Sequence, residues 1–243
     1  MKILDNLLFY LSVPKCVACG EKLDKNERAL CSSCIKEYEN HKQRQCSSCF
    51  RILSHCSCPN EHLDAHFVHK LVKVYRYVAR GDNVSNKLIY SIKNDNRKDV
   101  FDFLSDELAS AIRNSISLDD GYIVTSVPRS KGAIVRFGYD HAALLAKMVA
   151  QKLQLRSVRI LRSKSNKQQK KSKNKEERIK NAVYKLKNRK LDFEGKNFIV
   201  IDDIVTTGAS IGAVAMNLKS VGAKKIVGAT LSIAYKDEKS FIV

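Results

Sequence analysis

Beyond Cys58 the chain has no cysteine in its remaining 185 residues. That excludes a disulfide framework spread over the whole fold and points to a cytoplasmic protein whose thiols serve one local purpose. Long apolar runs are missing as well. Residues 3–13 are fairly apolar, but Asp5 and Asn6 interrupt them, and they fall far short of the ~20 residues that span a bilayer. They lack a small-residue cleavage site and read as a short amphipathic lead-in, so no stable membrane insertion is expected. None of the ten glycines forms Gly-x-Gly or opens Gly-x-x-x-x-Gly-Lys-[Ser/Thr]. A dinucleotide fingerprint and a Walker-type phosphate loop are therefore absent. No helix-turn-helix is evident. Acidic residues are scarce, with 25 Asp+Glu against 44 Lys+Arg and a formal net charge of +19. Such an excess makes the folded state repel itself and favours an anionic partner such as nucleic acid or polyphosphate.

What is present is enough for a packed core: 243 residues, 44% of them hydrophobic, which suits one or two domains. Residues 1–65 hold all eight cysteines and read as one module; in the second domain, 66–243, residues 70–160 alternate strand-like and helix-like stretches, 163–190 form a basic run, and 196–234 return to strand, loop, helix and strand. Residues 71–77 alternate apolar and polar, as a half-buried strand does. Residues 100–112 and 142–153 carry apolar side chains at helical spacing, and 122–127 is a short strand-like run ending at Pro128. Residues 198–201 are continuously apolar, the sign of a strand buried on both faces. Residues 209–221 then read as a helix and 225–233 as another buried strand. The expected fold is α/β with a mostly parallel sheet covered on both sides.

The segment 198–210, Phe-Ile-Val-Ile-Asp-Asp-Ile-Val-Thr-Thr-Gly-Ala-Ser, carries the strongest chemical signal. A buried strand delivers Asp202 and Asp203 at its carboxyl end, where ligands bind in open α/β sheets. The helix that follows presents unpaired N–H groups and a positive dipole end, which suits a phosphate. Thr206, Thr207 and Ser210 add hydroxyls, Gly208 lets backbone approach closely, and Ala209 opens the helix. Two carboxylates beside that pocket suit the vicinal hydroxyls of a ribose, or a magnesium ion. The plainer alternative is that the aspartates only cap the helix. A second strand, 122–127, runs into Arg129, Ser130 and Lys131, where another anion could sit. No general base stands out.

Cys16-x-x-Cys19 and Cys31-x-x-Cys34 form a four-thiolate pattern of zinc-ribbon type. Cys46-x-x-Cys49 with Cys56-x-Cys58 can close a second site, in which His55 could replace a cysteine. Two structural Zn2+ ions are expected, because so small a module buries too little surface to fold without them. Redox use of these thiols is the rival reading.

Between residues 163 and 190 twelve Lys or Arg stand against Glu176 and Glu177. The part at about 163–176 is expected to be a flexible loop, with Lys164, Lys167, Lys170, Lys171 and Lys173 able to contact a phosphate backbone. A solvated loop with no partner is the bland reading. Tyr75, Tyr77, Tyr90, Phe137 and Tyr139 could stack on single-stranded bases, although Tyr75 and Tyr77 alternate on a strand and read equally as core.

The 198–210 segment resembles the phosphoribosyl pyrophosphate (PRPP) loop of type I phosphoribosyltransferases. That resemblance implies that Asp202 and Asp203 bind the ribose 2′- and 3′-hydroxyls, that residues 206–210 cradle the 5-phosphate, and that residues 129–131 form the pyrophosphate loop. Mg2+ would accompany PRPP. Cysteine knuckles ahead of such a domain resemble the layout of the ComF family of natural competence, over nearly the whole chain. Arg136-Phe-Gly-Tyr-Asp-His-Ala142 is similar to that family's Arg-Gly-Phe-Asn-Gln-Ala stretch. Gln168-Gln169 and Glu177-Arg178-x-x-Asn181 are similar to its flexible segment, and Tyr90-Ser-Ile-Lys93 to its Tyr-x-x-Lys. Two departures are Phe137, where the family usually has Arg, and lysines around Ser172, where a Leu-Ser pair is common. The resemblance implies a cytoplasmic accessory factor of transformation that binds single-stranded DNA and PRPP during DNA uptake, with a helicase-like competence protein as partner. The alternatives are an active phosphoribosyltransferase acting on a base or other nucleophile, and a PRPP-sensing regulator. Only residues 235–243 follow the last strand, so any hood over a base is expected from the amino-terminal module.

Overall fold

In the computed structural model of the chain, the described residues are 14–77, 83–163, 184–187 and 193–234. Five parallel strands form the central sheet: β1 (Lys70–Arg76), β2 (Tyr122–Ser126), β3 (Arg156–Ser157), β6 (Asn197–Val205) and β7 (Ile226–Ile233). Their order is β1-β7-β6-β2-β3, which puts β6 at the centre. A separate antiparallel pair joins β4 (Leu161–Ser163) to β5 (Tyr184–Leu186).

Alternation along β6 feeds two cores. Ile199 and Ile201 face α4 (Lys98–Ser115) and α6 (His141–Leu153), where Leu104, Leu108, Leu145 and Val149 are buried. Phe198 and Val200 point the other way, onto Ile211, Val214 and Leu218 of α7 (Ala209–Lys219). A sheet with both faces covered needs apolar side chains at consecutive positions, which is why 198–201 reads as an unbroken run.

The helices expected over 100–112, 142–153 and 209–221 are α4, α6 and α7, each shifted by a few residues. The half-buried pattern expected for 71–77 is not what forms. Leu71, Val72, Val74 and Tyr75 are fully buried, and so is Lys73 at 1% exposure. The cysteine-bearing segment lies over this edge: the Leu71 N–H donates to Ser57 O at 2.8 Å and Lys73 Nζ to Cys58 O at 2.7 Å. Lys73 lays its aliphatic stem in the core and satisfies its ammonium on carbonyls, so a charged residue stands where the alternation implied solvent.

After residue 70, two helices escaped the pattern reading. One is α3 (Val84–Asn94), capped by Asn83 through the Asn86 N–H, and the other is the short α5 (Lys131–Phe137).

The cysteine-rich region is fastened to the sheet domain by shared core and charge. In α1 (Ser32–Lys42), Tyr38 meets Tyr75 and Phe103 edge-on at 5.6 and 5.3 Å. Arg28 reaches Asp102 and Asp106 on α4, and Lys152 of α6 bonds the same two carboxylates at 2.7 and 2.6 Å. Among the described residues no helix is long and apolar enough to cross a membrane.

Candidate sugar-phosphate site and cysteine centres

At the carboxyl end of β6 a cavity of about 680 Å³ opens, a size in the usual range for a small-molecule site. All seven residues expected for the PRPP loop line it: Asp202, Asp203, Thr206, Thr207, Gly208, Ala209 and Ser210. The chain turns into α7 at Gly208, whose φ of +81° favours glycine. A side chain at position 208 would also meet Leu63 Cγ at 2.6 Å, because α2 (Glu61–Asp64) packs directly behind the loop. Gly208 has no side chain to cap α7; Thr207 Oγ1 accepts the Ala209 N–H at 3.3 Å, and the positive dipole end of the helix stands at the cavity.

The two aspartates occupy different environments. Asp203 is 6% exposed, and its Oδ2 accepts from Lys93 Nζ at 2.5 Å and from His141 Nε2 at 3.0 Å. Its Oδ1 accepts from the Ile204 N–H at 2.8 Å. Burial alone would raise the Asp203 carboxyl, but Lys93 and His141 override it and hold the group well below the usual carboxylate range. Asp202 faces the cavity, and its Oδ1 accepts the Asp203 N–H at 2.9 Å. Burial, and then the negative charge of Asp203, push the Asp202 carboxyl well above its ordinary value.

The second expected anion loop is only partly placed. β2 lies directly beside β6, so the loop after it does border the cavity, and Arg129 and Ser130 line it. Lys131 is exposed and does not. The Arg129 guanidinium donates to Tyr139 O at 3.1 Å and Lys93 O at 3.3 Å, and lies 4.5 Å from the Phe137 ring centre. Ser130 spends its hydroxyl capping α5 through the Ala133 N–H. The Arg129 guanidinium foreseen for pyrophosphate is therefore turned to building the loop.

Lys93 and His141 belong to the Tyr90–Lys93 and Arg136–Ala142 stretches quoted for the family resemblance, but the sequence reading gave neither a place at the acid pair. They lie 110 and 62 residues from Asp203 in sequence, and no spacing rule links groups that only the parallel crossovers bring together. Of the aromatics considered for stacking, Tyr75 is core, and its hydroxyl donates to Ser85 O. Tyr77 and Tyr90 join hydroxyls at 2.9 Å, and Tyr139 donates to Ile92 O at 2.6 Å. Phe137 lines the cavity. Among the described residues that line it, none belongs to the amino-terminal region, so that region supplies no hood there. Ser163 and Tyr184, register partners across β4 and β5, do line the cavity. Lys164, Lys167, Lys170, Lys171 and Lys173 lie outside the described residues.

The eight cysteines gather into two groups, Cys16/Cys19/Cys31/Cys34 and Cys46/Cys49/Cys56/Cys58, with the sulfurs of each group within 4.8 Å of one another. Either group could hold a zinc ion, since four convergent thiolates are the donor set of a closed structural site. The Ser33 hydroxyl and the Cys34 backbone lower the Cys31 thiol to about 6, whereas burial and the neighbouring thiols push Cys34 up. Such crowding opposes further ionisation until a cation joins. His55 is outside the second group and pairs with Ser54 Oγ at 3.2 Å.

A parallel α/β sheet with an acid pair and a hydroxyl-rich turn at the end of its central strand is a fold of phosphoribosyltransferase type, here preceded by a small cysteine-rich region. Residues 139–240 match the family model described as the phosphoribosyl transferase domain. No curated protein matches the chain by sequence. Solved structures similar to it include purine phosphoribosyltransferase from Pyrococcus horikoshii, at 19% identity and TM-score 0.35, covering 56% of this chain and 80% of that one. Hypoxanthine phosphoribosyltransferase from Staphylococcus aureus is 11% identical at TM-score 0.36, covering 59% and 67%. UMP synthase from Leishmania donovani is 14% identical at TM-score 0.36, covering 60% of this chain and 24% of that longer one.

Proposed function

We propose that the cavity binds PRPP with Mg2+ and that the protein is a cytoplasmic ComF-type factor that handles single-stranded DNA during uptake. The observation that carries the reading is the convergence of an acid pair, a hydroxyl-rich turn and a helix amino terminus in one cavity. The 5-phosphate would lie on the α7 amino terminus against Thr206, Thr207 and Ser210, and the ribose hydroxyls against the acids. Asp202, a carboxylate facing the cavity, is the residue that would hold magnesium, which supplies charge neutralisation to the pyrophosphate. The division of the chain at residue 65 into a metal-held module and a sugar-phosphate domain belongs to this reading, as does a helicase-like partner.

The decisive measurement is a calorimetric titration of the protein with magnesium and PRPP. Micromolar binding is expected, and no heat would remove the site. The match of residues 139–240 to a transferase domain keeps phosphoribosyl transfer as the second reading. Pyrophosphate release against a panel of bases and single-stranded DNA separates the two, and steady turnover with any base would put the transferase first.

The DNA role draws support from where the basic stretch is attached: both residues that bound 164–183, Ser163 and Tyr184, stand at the cavity. Neutralising Lys164, Lys167, Lys170 and Lys171 together is expected to weaken single-strand binding and to flatten its log–log salt slope by about 3, at ~0.7 per charge. An unchanged slope would take the stretch out of the interface.

A further inference from the structure

Asp203 Oδ2 has no acceptor position left for a ligand. Oδ1 takes the Ile204 N–H and Oδ2 takes both Lys93 and His141. Oδ2 cannot also receive a ribose hydroxyl unless one of its two donors leaves. The Ile204 amide on Oδ1 is fixed by the backbone of β6. His141 begins α6 and is 8% exposed, which leaves it little room. Lys93 stands near the carboxyl end of α3, lines the cavity and has a side chain 17% exposed. An ammonium on a four-carbon stem can swing between partners, as a packed imidazole cannot.

Among the described residues of the loop after β2, Arg129 is the cation that lines the cavity, and its guanidinium is already engaged. The Arg129 guanidinium is held by two carbonyls, one of them that of Lys93 itself, and Lys131 does not line the cavity. Arg136 lines it from an exposed position, where water screens its charge. Lys93 is the ammonium that lines the cavity beside the acid pair.

We propose that Lys93 is an exchangeable ligand: in the empty cavity it occupies Asp203, and on PRPP binding it passes to the pyrophosphate and leaves Asp203 Oδ2 to a ribose hydroxyl. Arg129 acts as a positioning residue, because its bond to Lys93 O sets where that swing starts. His141 stays on Asp203 and keeps the carboxylate oriented and charged. The exchange trades one carboxylate partner for a more highly charged one, so ligand charge itself drives it.

This proposal rests on the PRPP reading, and the test keeps the two apart. PRPP and ribose 5-phosphate, which lacks the pyrophosphate, are titrated with magnesium into the full-length protein and its Lys93→Met and Lys93→Arg variants, the weaker ligand by competition. The Lys93→Met variant is expected to lose about thirtyfold or more in PRPP affinity, as for a charged partner truncated in a desolvated pair. Its ribose 5-phosphate affinity should hold or rise, since Lys93 no longer occupies Asp203 Oδ2, and Lys93→Arg should recover part of the PRPP loss. Equal losses for both ligands would make Lys93 a structural residue, and no loss for PRPP would exclude it as a ligand; either result overturns the exchange while leaving the site. A wild-type protein that binds neither ligand would remove the site and the exchange with it.

Discussion

Asparagine in place of Asp202 is expected to raise the melting temperature of the empty protein at neutral pH while lowering its affinity for magnesium and PRPP at least a hundredfold. Folding places the Asp202 carboxyl near a second negative charge and partly out of water, and both effects disfavour its ionised form. A carboxyl whose pKa is raised by folding destabilises the native state once pH exceeds its unfolded value, and the penalty vanishes where both states are protonated. Asparagine keeps the shape without the charge. The gain should be about 1 kcal/mol at pH 7, or ~2–4 °C for a chain of this size, and should disappear near pH 4. The neighbouring substitution behaves oppositely. Asp203→Asn leaves Lys93 facing a neutral group in a mostly buried pair and is expected to destabilise by about 3 kcal/mol. Because folding depresses the Asp203 carboxyl, its contribution is present above the unfolded pKa and is lost as pH falls through the folded one. Thermal melts of both variants from pH 3 to 8, paired with calorimetry, read all of this. Were Asp202→Asn to melt lower than wild type at pH 7, or to retain PRPP, the two acids would not have the separate roles assigned to them.

Removing metal is expected to have the largest effect on stability. Elemental analysis should find about two zinc ions per chain, and structural sites of this kind contribute ~10–16 kcal/mol of apparent binding free energy. The two centres should not respond alike. Cys16 and Cys34 share a core with Leu23, Leu30, Tyr38 and the helices under the sheet, so chelation there loosens a large cluster. The second centre has a small core of its own, Cys46, Leu53 and Cys56. Metal is then its main support, and Cys49→Ser should unfold the 46–58 segment while most of the protein stays folded. Hydrogen exchange separates these outcomes. Loss at the second centre should also reach the phosphate loop, since Cys58 leads within a few residues to Asn60 and Leu63, which pack on Gly208. PRPP binding should therefore weaken on chelation even though no cysteine lines the cavity. A metal-free protein with unchanged melting and unchanged binding would refute this account.

The part of the site that could be read from sequence is the part that is contiguous. Strand, acid pair, hydroxyl turn and helix start all lie within residues 198–210, and each has a local physical reason to sit where it does. The cysteine groups were equally legible, because two close pairs of thiols brought together define a tetrahedral set without knowledge of the fold. Lys93 and His141 were not legible as partners of Asp203, since nothing local to either predicts the other. Arg129 shows the converse: its place was readable and its occupation was not, because the carbonyls of Lys93 and Tyr139 that take its donors come from elsewhere in the chain. Lys73 misled the strand reading because a lysine can be satisfied by carbonyls inside a core, and alternation cannot reveal who the acceptors are.

The pairing of Ser163 with Tyr184 across β4 and β5 has a geometric consequence. The two described residues that flank 164–183 stand side by side on the cavity rim. A polyanion held beside either of them would sit at the pocket mouth at high effective concentration, and neither grip need be strong for both to be occupied together.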